Sequence, residues 1–399
     1  MKRIWSKSTP LDKTLSKGVN TPLKPKVFVA LSGGVDSAVA AALLKQKGYN
    51  IVGVFMREYD LDLADPLAAH IECTQTGDRQ SALAVAAHLG IPFQEWDFRR
   101  DYQKEVVDYM LREYKSGRTP NPDIMCNKQI KFGEFFKKAR TQGADAIATG
   151  HYAKLSSRRR PGSSPSSLGL DSRLRGNDIK LLQACDTNKD QTYFLYTLAQ
   201  EQLRYTLFPL GDLTKPEVRK LAKKFGLPNW DRKDSQGICF IGKLPMKDFL
   251  QTKLPPKRGP LIDENGKEVG AHDGAWYFTI GQRHGIGFAG GAEPYYVVGK
   301  DVKKNIVSVA QGAKNPLLYS KELTCSDVHW IAGKDPRFPL HCTVRTRYRQ
   351  PLQKCRISRI TGKGGRYRVV FSKPQWAVSP GQACVFYQKD TCLGGGIIV

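Results

Sequence analysis

The chain has 399 residues, with 63 Lys and Arg against 37 Asp and Glu, a net charge of +26. Its length suits two to three domains. A 40% hydrophobic content excludes a wholly disordered chain, and no apolar run approaches the roughly 20 residues that span a bilayer. So large a basic excess draws polyanions, and nucleic acid is the expected partner.

Residues 1–25 are basic and polar, with Asp12 the one acid and no apolar core for a secretory signal, and they read as a flexible tail. An organellar transit peptide stays open for the same stretch. Val27–Leu31 is an apolar strand that meets a glycine turn, and an alanine-rich helix is predicted over Ser37–Lys47. A second strand (Ile51–Met56), a helix (Gly77–Leu89), a third strand (Ile91–Phe98), amphipathic helices over Asp101–Lys115 and Asn127–Gln142, and a buried strand at Ala144–Thr149 follow. Two further helices are expected at Gln191–Leu203 and Thr214–Phe225. Apolar strands alternating with helices predict an α/β domain on a parallel sheet over 26–235. The Ser-, Gly-, Pro- and Arg-rich segment 156–179 interrupts a hairpin and reads as a disordered insert, since surface loops accept insertions at little cost. Beyond residue 236 short alternating runs punctuated by Pro and Gly predict a small β-rich domain (236–305) and a C-terminal β-barrel (306–399).

The nine cysteines are odd in number and scattered, with no CxxC pair. No zinc ribbon or other metal site is therefore spelled out, and a reducing, cytoplasmic setting fits best. The strongest local motif is Ser32-Gly33-Gly34-Val35-Asp36-Ser37, set between a strand and a helix. Glycines let backbone approach a phosphate, the helix start offers unpaired N–H groups, and two hydroxyls add donors. There is no GxxxxGK[ST] and no GxGxxG, which disfavours P-loop kinases and Rossmann dinucleotide binding.

SGGVDS after a first strand resembles the pyrophosphate loop of the N-type ATP pyrophosphatases. Two cysteines narrow that further. Arg118–Phe132 reads RTPNPDIMCNKQIKF, with Cys126 just before the predicted helix, and Asp234–Ile241 reads DSQGICFI, with Cys239. Together with Gly150-His151-Tyr152, Lys189-Asp190-Gln191, FTIGQRHGIG (278–287), RTRYRQ (345–350) and VSPGQ (378–382), the chain resembles the tRNA-specific 2-thiouridylase family from about residue 26 to its C-terminus.

The resemblance implies ATP-dependent 2-thiolation of the wobble uridine, with Mg²⁺ expected alongside ATP. ATP would adenylate the C2 oxygen, and persulfide sulfur on Cys239, supplied by a sulfur-relay donor protein, would replace it. Cys126 would attack the persulfide and form a transient disulfide with Cys239. Asp123 would act as general acid/base, and with Asn121 and Pro122 would contact the flipped target base. ATP would lie on Ala30, Leu31, Ser32, Gly33, Gly34, Val35, Asp36, Ser37, Met56 and Gly150. tRNA would meet His151, Lys189, Asp190, Gln191, Arg347, Tyr348, Arg349 and Gln382. A monomer is expected, with no membrane association.

Read from the residues alone, several of these positions keep a plainer meaning. Asp190 suits the cap of a helix, His151 a hydrogen-bonded strand end, and Arg345, Arg347 and Arg349 one face of a basic edge strand. Cys126 sits at a predicted helix start, two residues before Lys128, which favours a thiolate. Two other functions stay in view: an ATP pyrophosphatase ligase acting on a small metabolite, and a basic RNA-binding protein with an inactive nucleotide fold.

Overall fold

The computed structural model describes residues 24–59, 74–156, 179–233, 245–286, 293–362 and 364–399. The expected tail (all but its last two residues), nearly all of the 156–179 insert, Cys73 and Cys239 lie outside the described residues.

Strand β1 (Lys26–Ala30) forms because its four apolar residues, 27–30, alternate between two apolar surroundings. Val27, Val29 and Leu31 pack with α1 (Val35–Gln46), α2 (Thr74–Leu89) and Val218 and Ala222 of the helix Lys215–Lys224. Phe28 and Ala30 face Tyr102, Val106, Met110, Ile130 and Phe135, on the helices spanning 99–115 and 122–141. β2 (Asn50–Arg57) and β4 (Ala146–Ala148) flank β1 in parallel, β3 (Phe93–Asp97) lies outside β2, and β7 (Thr206–Leu207) lies outside β4. The order β3-β2-β1-β4-β7, helix-covered on both faces, is the parallel α/β sheet that the apolar runs predicted.

Between β4 and β7 the hairpin read from the sequence is present, as β5 (Lys154–Leu155) paired antiparallel with β6 (Leu181–Leu182). β6 also pairs with the C-terminal strand β17 (Thr391–Ile398), which stitches the first unit to the last. A small sheet of order β10-β11-β8-β9 lies between them: β8 (Gly259–Ile262), β9 (Glu268–His272), β10 (Tyr295–Asp301) and β11 (Ile306–Gln311). The division expected between 305 and 306 falls in the turn of the β10–β11 hairpin. The C-terminal unit is a barrel of six strands, β12 (Tyr319–Trp330), β13 (Leu340–Arg345), β14 (Gln353–Arg359), β15 (Tyr367–Trp376), β16 (Ala383–Gln388) and β17. Pairing of β12 with β17 closes it, which removes the exposed edges. No helix among the described residues is long and apolar enough to cross a membrane.

Three local expectations are corrected. Gln191–Leu203 is not one helix: a single 3₁₀ turn (Thr192–Phe194) precedes a short helix at Gln200–Arg204. Asp190 therefore caps no long helix. It is buried, accepts hydrogen bonds from the Ala184 and Thr192 amides and the Thr192 hydroxyl, and pairs with Arg345 at 2.7 Å. Nor do Arg345, Arg347 and Arg349 line one strand face. β13 ends at Arg345, and 346–349 form a tight turn with Arg349 at φ 63°. The third correction concerns the helix carrying Cys126, taken up below.

The Asp190–Arg345 pair joins the α/β unit to the barrel with side chains only 0% and 8% exposed. Removing one member leaves the other charge buried, which costs roughly 3–5 kcal/mol in such sites. Arg345→Met is expected to destabilise the protein by about 3 kcal/mol, read as a lower urea midpoint. An unchanged midpoint would mean that the pair holds nothing together.

Candidate active site

Parallel sheets open their binding crevice at the carboxyl ends of the strands, and here that end carries the SGGVDS turn. Gly34 caps α1 without a side-chain acceptor, so the first amides of the helix are left for an anion. Gly33 has φ 77°, and a Cβ there would lie 2.2 Å from the Asp78 carbonyl oxygen, so only glycine fits. Its carbonyl accepts from Ser81 Oγ (2.7 Å) and Asn229 Nδ2 (2.8 Å). Because a trans peptide points its N–H opposite to its C=O, those two donors turn the Gly34 amide the other way, toward Ser32 Oγ at 3.4 Å. Ser37 Oγ donates to the Gly34 carbonyl (3.0 Å) and accepts from the Ser32 amide (3.2 Å). Asp36 is held by Lys215 Nζ at 2.7 Å and by the Tyr152 hydroxyl at 2.9 Å. Gly150 presses on this turn so closely that a Cβ would come within 2.7 Å of the Ser37 nitrogen. Ala30 and Leu31 are buried below the turn, Val35 opens α1, and Met56 stands near the end of neighbouring β2.

The helix bearing Cys126 starts five residues before its predicted start. Asn121 Oδ1 accepts the Ile124 amide and Pro122 occupies the first turn, a capping pair that begins the helix at 122 rather than 127. Cys126 is thus one turn inside, its amide bonded to carbonyls of that first turn, and its side chain is fully buried. It opens a widened stretch of i→i+5 bonding, Cys126–Glu134, of the kind often found at functional sites. A charged group close to its thiol is a carboxylate, Glu58 Oε1 at 3.8 Å. Burial pushes the Glu58 carboxyl up, Lys131 and the Cys126 hydrogen bond pull it down, and Asp123 raises it. Lys128, expected beside the thiol, lies on another helix face. With Asn121, Ile124 and Met125 it lines a cavity of about 80 Å³ against Tyr196, Asp327 and His329.

His151 connects these two features. It follows Gly150, hydrogen-bonds Thr149 Oγ1 at 2.8 Å through Nδ1, and sits 5.9 Å, ring to ring, from Phe132 on the Cys126 helix. Burial, reinforced by Lys131, drives its pKa down to about 3. The imidazole is neutral at physiological pH.

Three family models match consecutive stretches: a tRNA methyl transferase HUP domain over 25–243, a tRNA methyl transferase PRC-barrel domain over 247–311, and an aminomethyltransferase beta-barrel domain over 320–398. The tRNA-specific 2-thiouridylase MnmA of Geobacillus thermodenitrificans is 45% identical over 377 residues, 94% of this chain and 95% of that one. That of Nitrosococcus oceani is 47% identical over 379 residues, 94% and 97% of the two chains. The chain belongs to the tRNA-specific 2-thiouridylase family. It is accordingly a transferase that modifies tRNA.

Several residues expected to meet tRNA also hold the chain's own units together. Gln382 donates to the carbonyls of Thr119 (2.8 Å) and Pro120 (3.2 Å), just before Asn121. Gln191 instead works within the α/β unit, where its side-chain oxygen accepts the Tyr152 amide at 2.9 Å. Arg347 donates to the carbonyls of Ile280 and Ala377, with its guanidinium 5.1 Å from the Trp376 ring centre. Tyr348 packs 4.5 Å from Phe194. Lys189 is half-buried near Tyr348, and Arg349 is exposed. Cys239 lies outside the described residues. Sequence reasoning missed Glu58, Ser81, Asn229 and Lys215. Lys215 follows a visible capping box at Thr214 and Glu217, but nothing local to it points across 179 residues to Asp36.

Two outcomes follow. Gly33→Ala should cost at least about 2 kcal/mol through strain at positive φ and should abolish ATP binding in a filter or calorimetric assay. Unaltered binding would mean that the turn does not need its left-handed residue. For His151 the native value lies below the ordinary 6.5, so unfolding takes up a proton on acidification. Stability from this group is whole above pH 6.5 and declines as pH falls toward 3. The ring resonances of His151 should not titrate at neutral pH, and an NMR midpoint near 6.5 would contradict its burial.

Proposed function

We propose that this enzyme 2-thiolates the wobble uridine of tRNA through an adenylated C2 oxygen and a persulfide. The observation that carries the reading is a run of contacts from phosphate loop to thiol. Gly150 abuts Ser37, and His151 packs on Phe132 in the Cys126 helix. The charge of Lys131 acts on both His151 and Glu58, and Glu58 meets Cys126. A nucleotide on the loop and a base near Asn121, Pro122 and Asp123 would therefore lie on either side of His151.

The uridine C2 oxygen attacks the α-phosphorus of ATP, and pyrophosphate leaves along the amides of 33–37 and the Ser32 and Ser37 hydroxyls. Ala30, Leu31 and Met56 would bound the adenosine, with Gly150 beside it. Asp123 moves the proton at the base. A sulfur-relay donor protein loads a terminal sulfur on Cys239. The Cys126 thiolate attacks the inner sulfur, a Cys126–Cys239 disulfide forms, and hydrosulfide leaves. Hydrosulfide adds at C2 and expels AMP, and an external dithiol reopens the disulfide.

Magnesium would enter with ATP, since it is usually held by phosphate oxygens, water and one or two carboxylates. Asp36 is the carboxylate of the loop, already shared with Lys215. Lys189, Asp190, Gln191, Arg347, Tyr348, Arg349 and Gln382 form the proposed tRNA-facing set, with Asp190 acting by holding the segment and exposed Arg349 by direct phosphate contact. The proposed state is a monomer in the reducing cytoplasm.

The test is mass spectrometry of unmodified tRNA after incubation with ATP, Mg²⁺ and a persulfide donor. The wobble nucleoside should become about 16 Da heavier as sulfur replaces oxygen. Cys126→Ser should remove that shift, and Asp123→Asn should slow it by roughly 100-fold or more. Full thiolation by Cys126→Ser would overturn the sulfur-transfer scheme. Pyrophosphate release driven by a small metabolite without RNA would favour a different ligase.

A further inference from the structure

Cys126, as the proposed nucleophile, must first give up a proton. A buried thiol is stable as S–H, whereas the attacking species is the thiolate. Losing a proton to water from a site with no exposed surface would leave a new, poorly solvated charge. Glu58 stands just past the carboxyl end of β2, in the crevice where the sheet opens, and its Oε1 lies 3.8 Å from Cys126 Sγ, within sulfur hydrogen-bond reach. Three groups act on it electrostatically: Cys126, Asp123 three residues earlier on the same helix, and Lys131 further along that helix.

We propose that Glu58 is the catalytic proton acceptor for the Cys126 thiol. The proposal rests on the reading of Cys126 as the residue that opens the persulfide. Transfer of the proton from sulfur to carboxylate moves one negative charge from Glu58 to Cys126 and adds none, and Lys131 offsets it in either position. The raised proton affinity of Glu58 brings it closer to that of a thiol, which lowers the cost of the transfer. The step balances for a persulfide anion on Cys239. The Cys126 S–H bond breaks and a Glu58 O–H bond forms. The thiolate pair makes the bond to the inner sulfur, and the terminal sulfur departs with the S–S pair. The proton on Glu58 leaves with it, as hydrosulfide. Glu58 returns as carboxylate, and no oxidant or reductant enters until the disulfide is reopened. Asp123 keeps its separate duty at the base.

The experiment is single-turnover hydrosulfide release from the full-length enzyme preloaded with glutathione persulfide, followed against pH for wild type, Glu58→Gln, Glu58→Asp and Cys126→Ser. Melting midpoints check that each variant is folded. Wild type should show an acid limb as the raised carboxyl of Glu58 loses its proton. Glu58→Gln should lose that limb, rise only toward the ordinary thiol range near about 8.5, and be slower at neutral pH by roughly 100-fold. Glu58→Asp should restore part of the rate and the limb. A folded Glu58→Gln with the wild-type rate and acid limb, beside an inactive Cys126→Ser, would overturn the role of Glu58 alone. Release at the wild-type rate from Cys126→Ser would instead overturn the parent reading, so the two failures are told apart.

Discussion

The loop before Cys126 is held by three parts of the molecule at once. The Thr119 amide donates to the Pro380 carbonyl of the barrel at 2.8 Å, and barrel Gln382 donates to Thr119 and Pro120. Thr119 Oγ1 meets Thr279 Oγ1, on the connection between β9 and β10 of the small sheet, at 3.2 Å, and Arg118 forms an ion pair with Glu113 of its own domain. Each neutral bond contributes only about 1 kcal/mol, so their importance is direction more than strength. They aim Asn121, Asn121 starts the helix, and the helix start decides which way Cys126 points. This gives the two C-terminal units a part in orienting Cys126.

Burial, more than formal charge, sets the protonation of the centre. A chain of net charge +26 keeps His151 neutral because desolvation, helped by Lys131, outweighs any tendency to ionise. The same desolvation lifts Glu58, while Lys131 keeps it from rising further. One lysine thus acts in the same direction, against added positive charge and for retained negative charge, on both neighbours. Asp36, by contrast, is held at the phosphate loop by Lys215 and Tyr152, a polar arrangement that orients the first turn of α1.

Much of this was legible in the residues where the signal is local. Val27–Leu31 and Ile51–Met56 read as buried strands because their apolar runs are continuous, and Gly33–Gly34 between strand and helix marks an anion loop. The hairpin across 156–179 was legible because AKL and KLLQACD keep strand character on either side of a polar segment. What failed depended on distant partners. Asp190 looked like a helix cap, but Arg345, 155 residues away, draws it into a buried pair. Arg345, Arg347 and Arg349 alternate as a strand would, yet Arg347 reaches the Ile280 and Ala377 carbonyls from within a turn. The start of the Cys126 helix was a local miss, since Asn121-Pro122 is a visible capping pair. Glu58 carried no sequence signal, because only folding sets it against a cysteine 68 residues on.

The most direct test of the account is non-reducing peptide mapping of the enzyme quenched after one turnover with tRNA, ATP and a persulfide donor. A single new linked peptide pair, joining Cys126 to Cys239 and absent when the persulfide donor is withheld, is the predicted result. A map in which Cys126 remains a thiol after a thiolated uridine has formed, or is joined to another cysteine, would contradict it.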